Sequence, residues 1–275
     1  MSTHIMPSQI PPVPIHLISP LTPQIFEIGN LSVQLLIAFV LALIWYRRSG
    51  SLGYIALLIG GALASVNEPW LDLLSHCWYP SIHQITAFVF FDRSIPLWVV
   101  LAYAVFFGAL PSIVLHLSRH GLRLERFYLG FLLIVVLDFF MQVPLINYNM
   151  IVYYDFQPFM IAGVPLHVVV LDALAVLLIA SIIKTVPGFF SGAAGFWRAL
   201  LLPPLVLWAA EGLGLLSWIA LNSGWSHGVI MLADVFTIVL GFYCCTRLAN
   251  SVIVLPASVD FSPAAEREPP RRLVG

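Results

Sequence analysis

The chain has 275 residues, of which 60% are hydrophobic and 9% charged, with a formal net charge of −1. Soluble domains carry about 25% charged residues, so composition excludes that class. A charge near zero with no basic stripe excludes nucleic acid as a partner. Mean hydropathy is +0.97, and the apolar runs last about twenty residues rather than the roughly ten of a barrel strand. Helices satisfy their own backbone groups in lipid, so the fold class is an all-α polytopic membrane protein.

In chain order, residues 1–27 are rich in proline and lack the basic and apolar regions of a signal peptide, which predicts an extended extracytoplasmic tail. Apolar runs follow at 28–46, 52–74, 95–117, 127–147, 164–185, 199–220 and 227–249, giving seven membrane spans. Residues 250–275 read as a disordered cytoplasmic tail. Seven crossings put eleven of the twelve basic residues on one side: Arg47, Arg48, Arg119, Arg123, Arg126, Lys184, Arg198, Arg247, Arg267, Arg271 and Arg272. Only Arg93 falls on the other. The positive-inside rule then places the N-terminus outside and the C-terminus in the cytoplasm, with a bacterial cytoplasmic membrane as the expected location.

Glu68, Asp72, Asp138, Asp172, Glu211 and Asp234 lie within or at the end of these spans, and none has a lysine or arginine close in sequence. Ionisable groups at membrane depth are costly and normally face a protein interior or a wet path. The predicted topology places all six in the outer half of the bundle, with His76, Asn147 and His167 at its outer boundary. A cavity opening outward is expected. Carboxylates crowded together without cations cannot all stay ionised. A neutral carboxylic acid beside a carboxylate is an acid–base pair.

The densest group is N-E-P-W-L-D-L-L-S-H, residues 67–76. Glu68, Asp72 and His76 are spaced four apart and would share a helix face. Pro69 predicts a break near Ser65. Carboxylates and imidazole on one face suit general acid–base work and are also ordinary metal ligands. Asp138 and Gln142 repeat the spacing of four. Asp172 lies five past His167, about 140° around the helix. For each acid an interhelical hydrogen bond is the structural alternative. Arg93 has three readings: a pair with Asp92, a cap on the acids, or a site for an anionic group. Trp70 and Trp98 belong to an aromatic set near the outer surface that could serve as belt or line a cleft.

IPLWVVLAYA, from Ile95, matches VPLHVVVLDA, from Val164, and EPWLD at Glu68 loosely echoes VPLIN at Val143. WSHGVIMLADV is a faded third copy. One architecture that follows is a first helix plus three repeated hairpins around a cleft. Cys77, Cys244 and Cys245 form no metal or redox spacing. The single lysine, Lys184, lies at the cytoplasmic end of the fifth span, so the last helix offers no amine for a retinal Schiff base. No Walker A loop, GxSxG elbow or HExxH is present.

The order EPWLDLLSHCWYP, then DFFMQVPLINYNMIVYYDFQPF and GVPLHVVVLDALAVL, resembles the AveC-type spirocyclase family of actinobacterial membrane proteins over residues 55–180. The resemblance implies a cofactor-free, metal-free cyclase that closes a dihydroxyketone into a spiroketal, with or without dehydration. Glu68 and Asp72 would be the acid–base pair and Asp138 and Asp172 would assist. His76, Arg93, Gln142, Asn147, His167, Glu211, Asp234, Trp70 and Trp98 would support or bind substrate. The partners expected are a hydrophobic small molecule and the lipid bilayer; the sequence sets no oligomeric state. A proton-coupled carrier of hydrophobic or cationic molecules and a non-catalytic lipid-binding or assembly subunit are the competing readings.

Overall fold

The computed structural model describes residues 12–118 and 123–254. Arg119, Arg267, Arg271 and Arg272, residues 1–11 of the expected N-terminal tail and residues 255–275 of the expected C-terminal tail lie outside the described residues.

The described chain is mostly helical, and six of its helical stretches are long and apolar enough to cross a membrane. The first, α1 (Leu21–Ser49), starts seven residues ahead of the expected run. Its start is fixed by Gln24, a fully buried side chain that donates to the carbonyls of Ser19, Pro20 and His83 and accepts from the Ile85 amide. It ends at Gly50, whose positive φ of 68° closes the helix.

The next stretch is a broken helix: α2 (Gly53–Ala64), a 3-10 turn at Ser65–Asn67, then α3 (Glu68–Ser75). The break falls where Pro69 requires it, because its ring cannot bond back to Ser65. The broken stretch is not among the six. The following span is α4 (Leu97–Tyr103), a π turn (Ala104–Ala109) and α5 (Leu110–Leu117). Pro111 cannot bond back to Phe107, which releases the chain into the wider turn. Then come α6 (Leu124–Asn147), α7 (Leu166–Thr185), α8 (Gly192–Glu211), a second 3-10 turn (Gly212–Gly214), α9 (Leu215–Asn222) and α10 (His227–Val254). The last helix overruns the expected boundary at 249 by one turn.

α7 is the hub. It packs against α5, α6, α8 and α10 and is the most deeply buried span. α2 is held on both sides by glycine. A Cβ at Gly60 would stand 2.4 Å from the Leu200 carbonyl oxygen, and one at Gly61 would stand 2.6 Å from the Gly108 nitrogen. Pro203 and Pro204 within α8 leave the Ala199 and Leu200 carbonyls without helical donors. Gly60 lets the α2 backbone approach those same two oxygens. Small residues that let backbones touch are the usual glue between helices in lipid.

The fold is not purely helical. Three short antiparallel ribbons occupy one end of the bundle: β1 (Cys77–Trp78) with β4 (Val152–Tyr153), β2 (Thr86–Phe90) with β3 (Arg93–Pro96), and β5 (Met160–Ile161) with β6 (Val164–Pro165). Two of them feed directly into α4 and α7, whose N-caps are Pro96 and Pro165 in extended conformation. The matched Pro-Leu sequences therefore begin alike: ribbon, proline cap, helix. No ribbon precedes α10, the place of the faded third copy.

Candidate functional site

Five of the six acids converge. Glu68 and Asp72 from α3, Asp138 from α6, Asp172 from α7 and Glu211 from α8 line one cavity of about 110 Å³. No lysine, arginine or histidine is among its lining residues. By the same kind of measure a water needs roughly 10–15 Å³, so the chamber has room for several waters or one small head group.

Helix breaks deliver three of the contributors. Glu68 is the first residue after the 3-10 turn at Ser65–Asn67, and Glu211 is the last before the turn at Gly212–Gly214. Tyr103 is the last residue before the π turn. Irregular backbone at membrane depth is tolerated where it is buried in protein or borders a wet cavity. Asn67, in the first break, donates to the Pro204 carbonyl at 2.8 Å and ties that turn to α8.

Two polar networks line the chamber. In the first, the hydroxyls of Tyr79 and Tyr103 donate to the two oxygens of Glu68, one to each. An ionised carboxylate only accepts, so two phenol donors fit a charged Glu68. In the second, Tyr153 donates to Gln142 Oε1 at 3.1 Å, and Gln142 Nε2 donates to both oxygens of Asp138 at 3.3 Å. Asp138 and Asp172 face each other across the same cavity, and two carboxyl groups that hydrogen-bond to each other do so only with a proton between them. Asp72 Oδ1, Glu211 Oε1 and Trp98 Nε1 belong to cavity-lining residues and have no hydrogen-bond partner among the described residues. Buried polar atoms are ordinarily partnered, which marks these three as groups free to meet a ligand.

The β1–β4 ribbon contributes Cys77 and Tyr153 to the cavity wall, with Tyr79 and Ile151 beside it. Cys77, Trp78, Tyr79 and Ile151 are all buried.

Several predicted site residues lie elsewhere. His76 does not share the face of Glu68 and Asp72, because α3 ends at Ser75 and His76 turns into the left-handed region, φ 52°. Its ring stacks on Tyr154, with Nε2 3.2 Å from Asn222 Oδ1 and Nδ1 3.9 Å from Asp155. Burial lowers its pKa from the ordinary histidine value; Arg93 adds to this, while Asn222 and Asp155 oppose it. Arg93 is buried and makes no ion pair with Asp92 or any other acid among the described residues. It donates to the Cys77 carbonyl and the Tyr154 hydroxyl and lies 5.0 Å over the Trp78 ring.

His167 and Asp234 form a separate buried unit, with Nδ1 2.7 Å from Oδ1 but without the alignment of a hydrogen bond. Ser217 donates to Asp234 and shares a 2.8 Å contact with Thr237. Trp70 is 41% exposed and packs on Phe91, outside the chamber, and Asn147 is exposed at the end of α6. Trp98 and Gln142 do line the cavity.

Tyr103 and Tyr153 are the residues that sequence reasoning missed; Tyr79 belongs to the aromatic set near the outer surface that could line a cleft, and it does line this one. A signal for Tyr103 was present: in the aligned IPLWVVLAYA and VPLHVVVLDA it takes the place of Asp172, and Trp98 takes the place of His167. Among the described residues no three His, Cys, Asp or Glu are grouped to hold a metal ion. The chain matches no family model, and no curated protein and no solved structure is significantly similar to it.

Proposed function

We propose that the protein is a membrane-embedded acid–base enzyme that cyclises or dehydrates a hydrophobic, oxygen-bearing substrate. The observation that carries this reading is one chamber with five carboxyl groups from four helices and no cation in its wall. Ring closure of a dihydroxyketone requires an acid to protonate the carbonyl or the departing water and a base to take a hydroxyl proton. In this reading the Asp138–Asp172 pair shares one proton and is the donor. Glu68, held by two phenols, is the acceptor, with Asp72 completing the base side of the chamber. The apolar remainder of the wall orients the chain and limits bulk water. The resemblance to spiroketal-forming cyclases names the reaction most closely, and no cofactor is needed for it.

In this reading the helices make seven crossings, counting the broken α2–α3 stretch. The ribbon end is outside, and the end bearing Arg47, Arg48, Arg123, Arg126, Lys184, Arg198 and Arg247 is cytoplasmic, by the positive-inside rule. A first helix and three helical hairpins make up the bundle, and the membrane is a bacterial cytoplasmic one.

A second reading has its own support. Two 3-10 breaks, each beside a cavity carboxylate, resemble the discontinuous helices of proton-coupled carriers. The experiment that separates them uses purified protein in detergent and a linear dihydroxyketone. Conversion to a cyclic ketal, lost in Glu68→Gln and Asp172→Asn, is the enzyme result. No conversion in detergent, together with proton-driven uptake of the same compound into proteoliposomes, is the carrier result.

A further inference from the structure

The chamber has a roof of ribbon and a floor of packed helices, but one side wall is incomplete. α4 and α6 both line it, yet neither α4, the π turn nor α5 packs closely against α6 among the described residues. The seam between them continues below the chamber as an apolar groove of about 240 Å³. Leu110, Ile113 and Leu117 form one side of the groove, Gly130, Leu133 and Leu137 form the other, and Arg126 lines its end farthest from the chamber. The two spaces are neighbours along both helices. Phe107 lines the chamber and Leu110 the groove; Asp138 and Met141 line the chamber and Leu137 the groove. Ile113 and Leu133 are half exposed, at 50% and 57%, on the face that an apolar solvent would meet.

We infer that the substrate is a membrane-dissolved amphiphile that enters sideways through the seam between the third span and α6, resting its uncharged, oxygen-bearing head among the carboxylates and its apolar tail in the α5–α6 groove. The inference rests on the proposed acid–base reading for the head and adds the substrate class and its route. The chamber, with room for a small head group, does not take a long chain whole; the groove supplies the remaining volume. Carboxylates without a cation disfavour an anionic head, which excludes fatty acids and phospholipid phosphates from the chamber. From Leu110 to Leu117 and from Leu137 to Gly130 the groove runs about 10 Å, at ~1.5 Å per helical residue.

Gly130 offers a clean test, because a Cβ there meets nothing within 4 Å. A side chain at that position starts into open space beside the groove. The probe is a long-chain hydroxyketone carrying a diazirine at the tail end and an alkyne tag, applied to the protein in nanodiscs and mapped by peptide mass spectrometry. Labelling concentrated on 110–117 and 127–137 is expected, displaced by unlabelled hydroxyketone but not by added phospholipid. Gly130→Trp should lower it at least about tenfold, since the indole takes the volume the tail requires. Glu68→Gln should leave tail labelling in place.

Labelling spread evenly over the outward face of α1, or displaced equally by phospholipid, overturns the inference and makes the groove a site for bulk lipid. Full labelling and activity in Gly130→Trp overturns it as well. If Glu68→Gln keeps its turnover while the groove still labels, the acid–base assignment falls and the route stands.

Discussion

Tyr103 and Glu68 meet across two helix breaks. The phenol at the last residue before the π turn of the third span donates to the carboxylate at the first residue after the 3-10 turn of the second stretch. Each break frees backbone in the middle of an apolar bundle, and the side chains beside the breaks bond to each other. Removing the phenol in Tyr103→Phe leaves a buried carboxylate oxygen short of a donor, a loss of about 1–3 kcal/mol. Thermal unfolding in detergent should show that loss, and it should largely disappear when Tyr103→Phe is made in a Glu68→Gln background. Equal losses in both backgrounds would mean that the bond contributes nothing.

The Asp138–Asp172 pair separates chemistry from structure. Asp172→Asn keeps a group able to hydrogen-bond to Asp138 while removing a carboxyl that can release a proton. Turnover of a linear dihydroxyketone should drop by about 10²–10⁴-fold, the usual range for a lost general acid, with little change in unfolding temperature. A variant that unfolds early but turns over normally when folded would reassign the pair to scaffolding.

His167 and Asp234 should behave in the opposite way. Their contact is fully buried and lies outside the chamber. Removing Asp234 leaves the buried polar groups around it short of a partner, at about 1–3 kcal/mol each. Asp234→Ala should therefore be strongly destabilised, while its folded fraction retains the wild-type rate. Loss of rate at unchanged stability would bring Asp234 into the site.

Glycine positions give a graded series. Gly61→Ala forces a Cβ against the Gly108 backbone, and Gly60→Ala forces one against the Leu200 carbonyl. Backbone cannot yield as a side chain does, and overpacking of this kind costs about 1–3 kcal/mol. Gly130→Ala meets no atom within 4 Å and should be neutral or stabilising by up to about 1 kcal/mol, from helix propensity alone. Melting temperatures of the three variants would reverse this order if α2 were not wedged between α8 and the π turn.

His76 gives the ribbon end a pH dependence. Burial holds its folded pKa below the ordinary value, so the unfolded chain binds the proton more readily. Stability is then greatest above the ordinary histidine pKa of about 6.5 and declines as pH falls through and below it. His76→Gln should flatten that part of the stability profile measured from pH 8 to 5. A slope unchanged by the substitution would assign it to another group.

Much of this arrangement is legible in the sequence. Charge-poor runs mark the helices, Pro69 marks the first break, and acids without nearby cations mark the chamber. Other features leave no such mark. Depth along a helix says nothing of direction around it, so Asp234 looked like a companion of Asp172 although it faces His167. The five-residue offset between His167 and Asp172 did separate their faces. The second break, at Gly212–Gly214, contains no proline, and glycines in an apolar run read equally well as helix contacts. Tyr79 looks in sequence like part of an interfacial belt, and Tyr103 like one more aromatic of an apolar span. The helical position expected for His76 fails for a local reason, a left-handed residue at the end of α3, which spacing alone does not reveal.

The pairing of Cys77–Trp78 with Val152–Tyr153 sets a strict limit on the length of the chain between α3 and its first strand. Cys77 turns its thiol into the chamber, and Trp78, next along the strand, supports Arg93 from the other side. One residue inserted after Ser75 would exchange the two faces, offering an indole to a space of about 110 Å³ and leaving the guanidinium over a thiol. Loop length can change at the exposed tip of the β2–β3 ribbon, Phe91–Asp92, without reaching the chamber. At residues 75–77 it cannot, because a single extra peptide unit would plug the chamber from above.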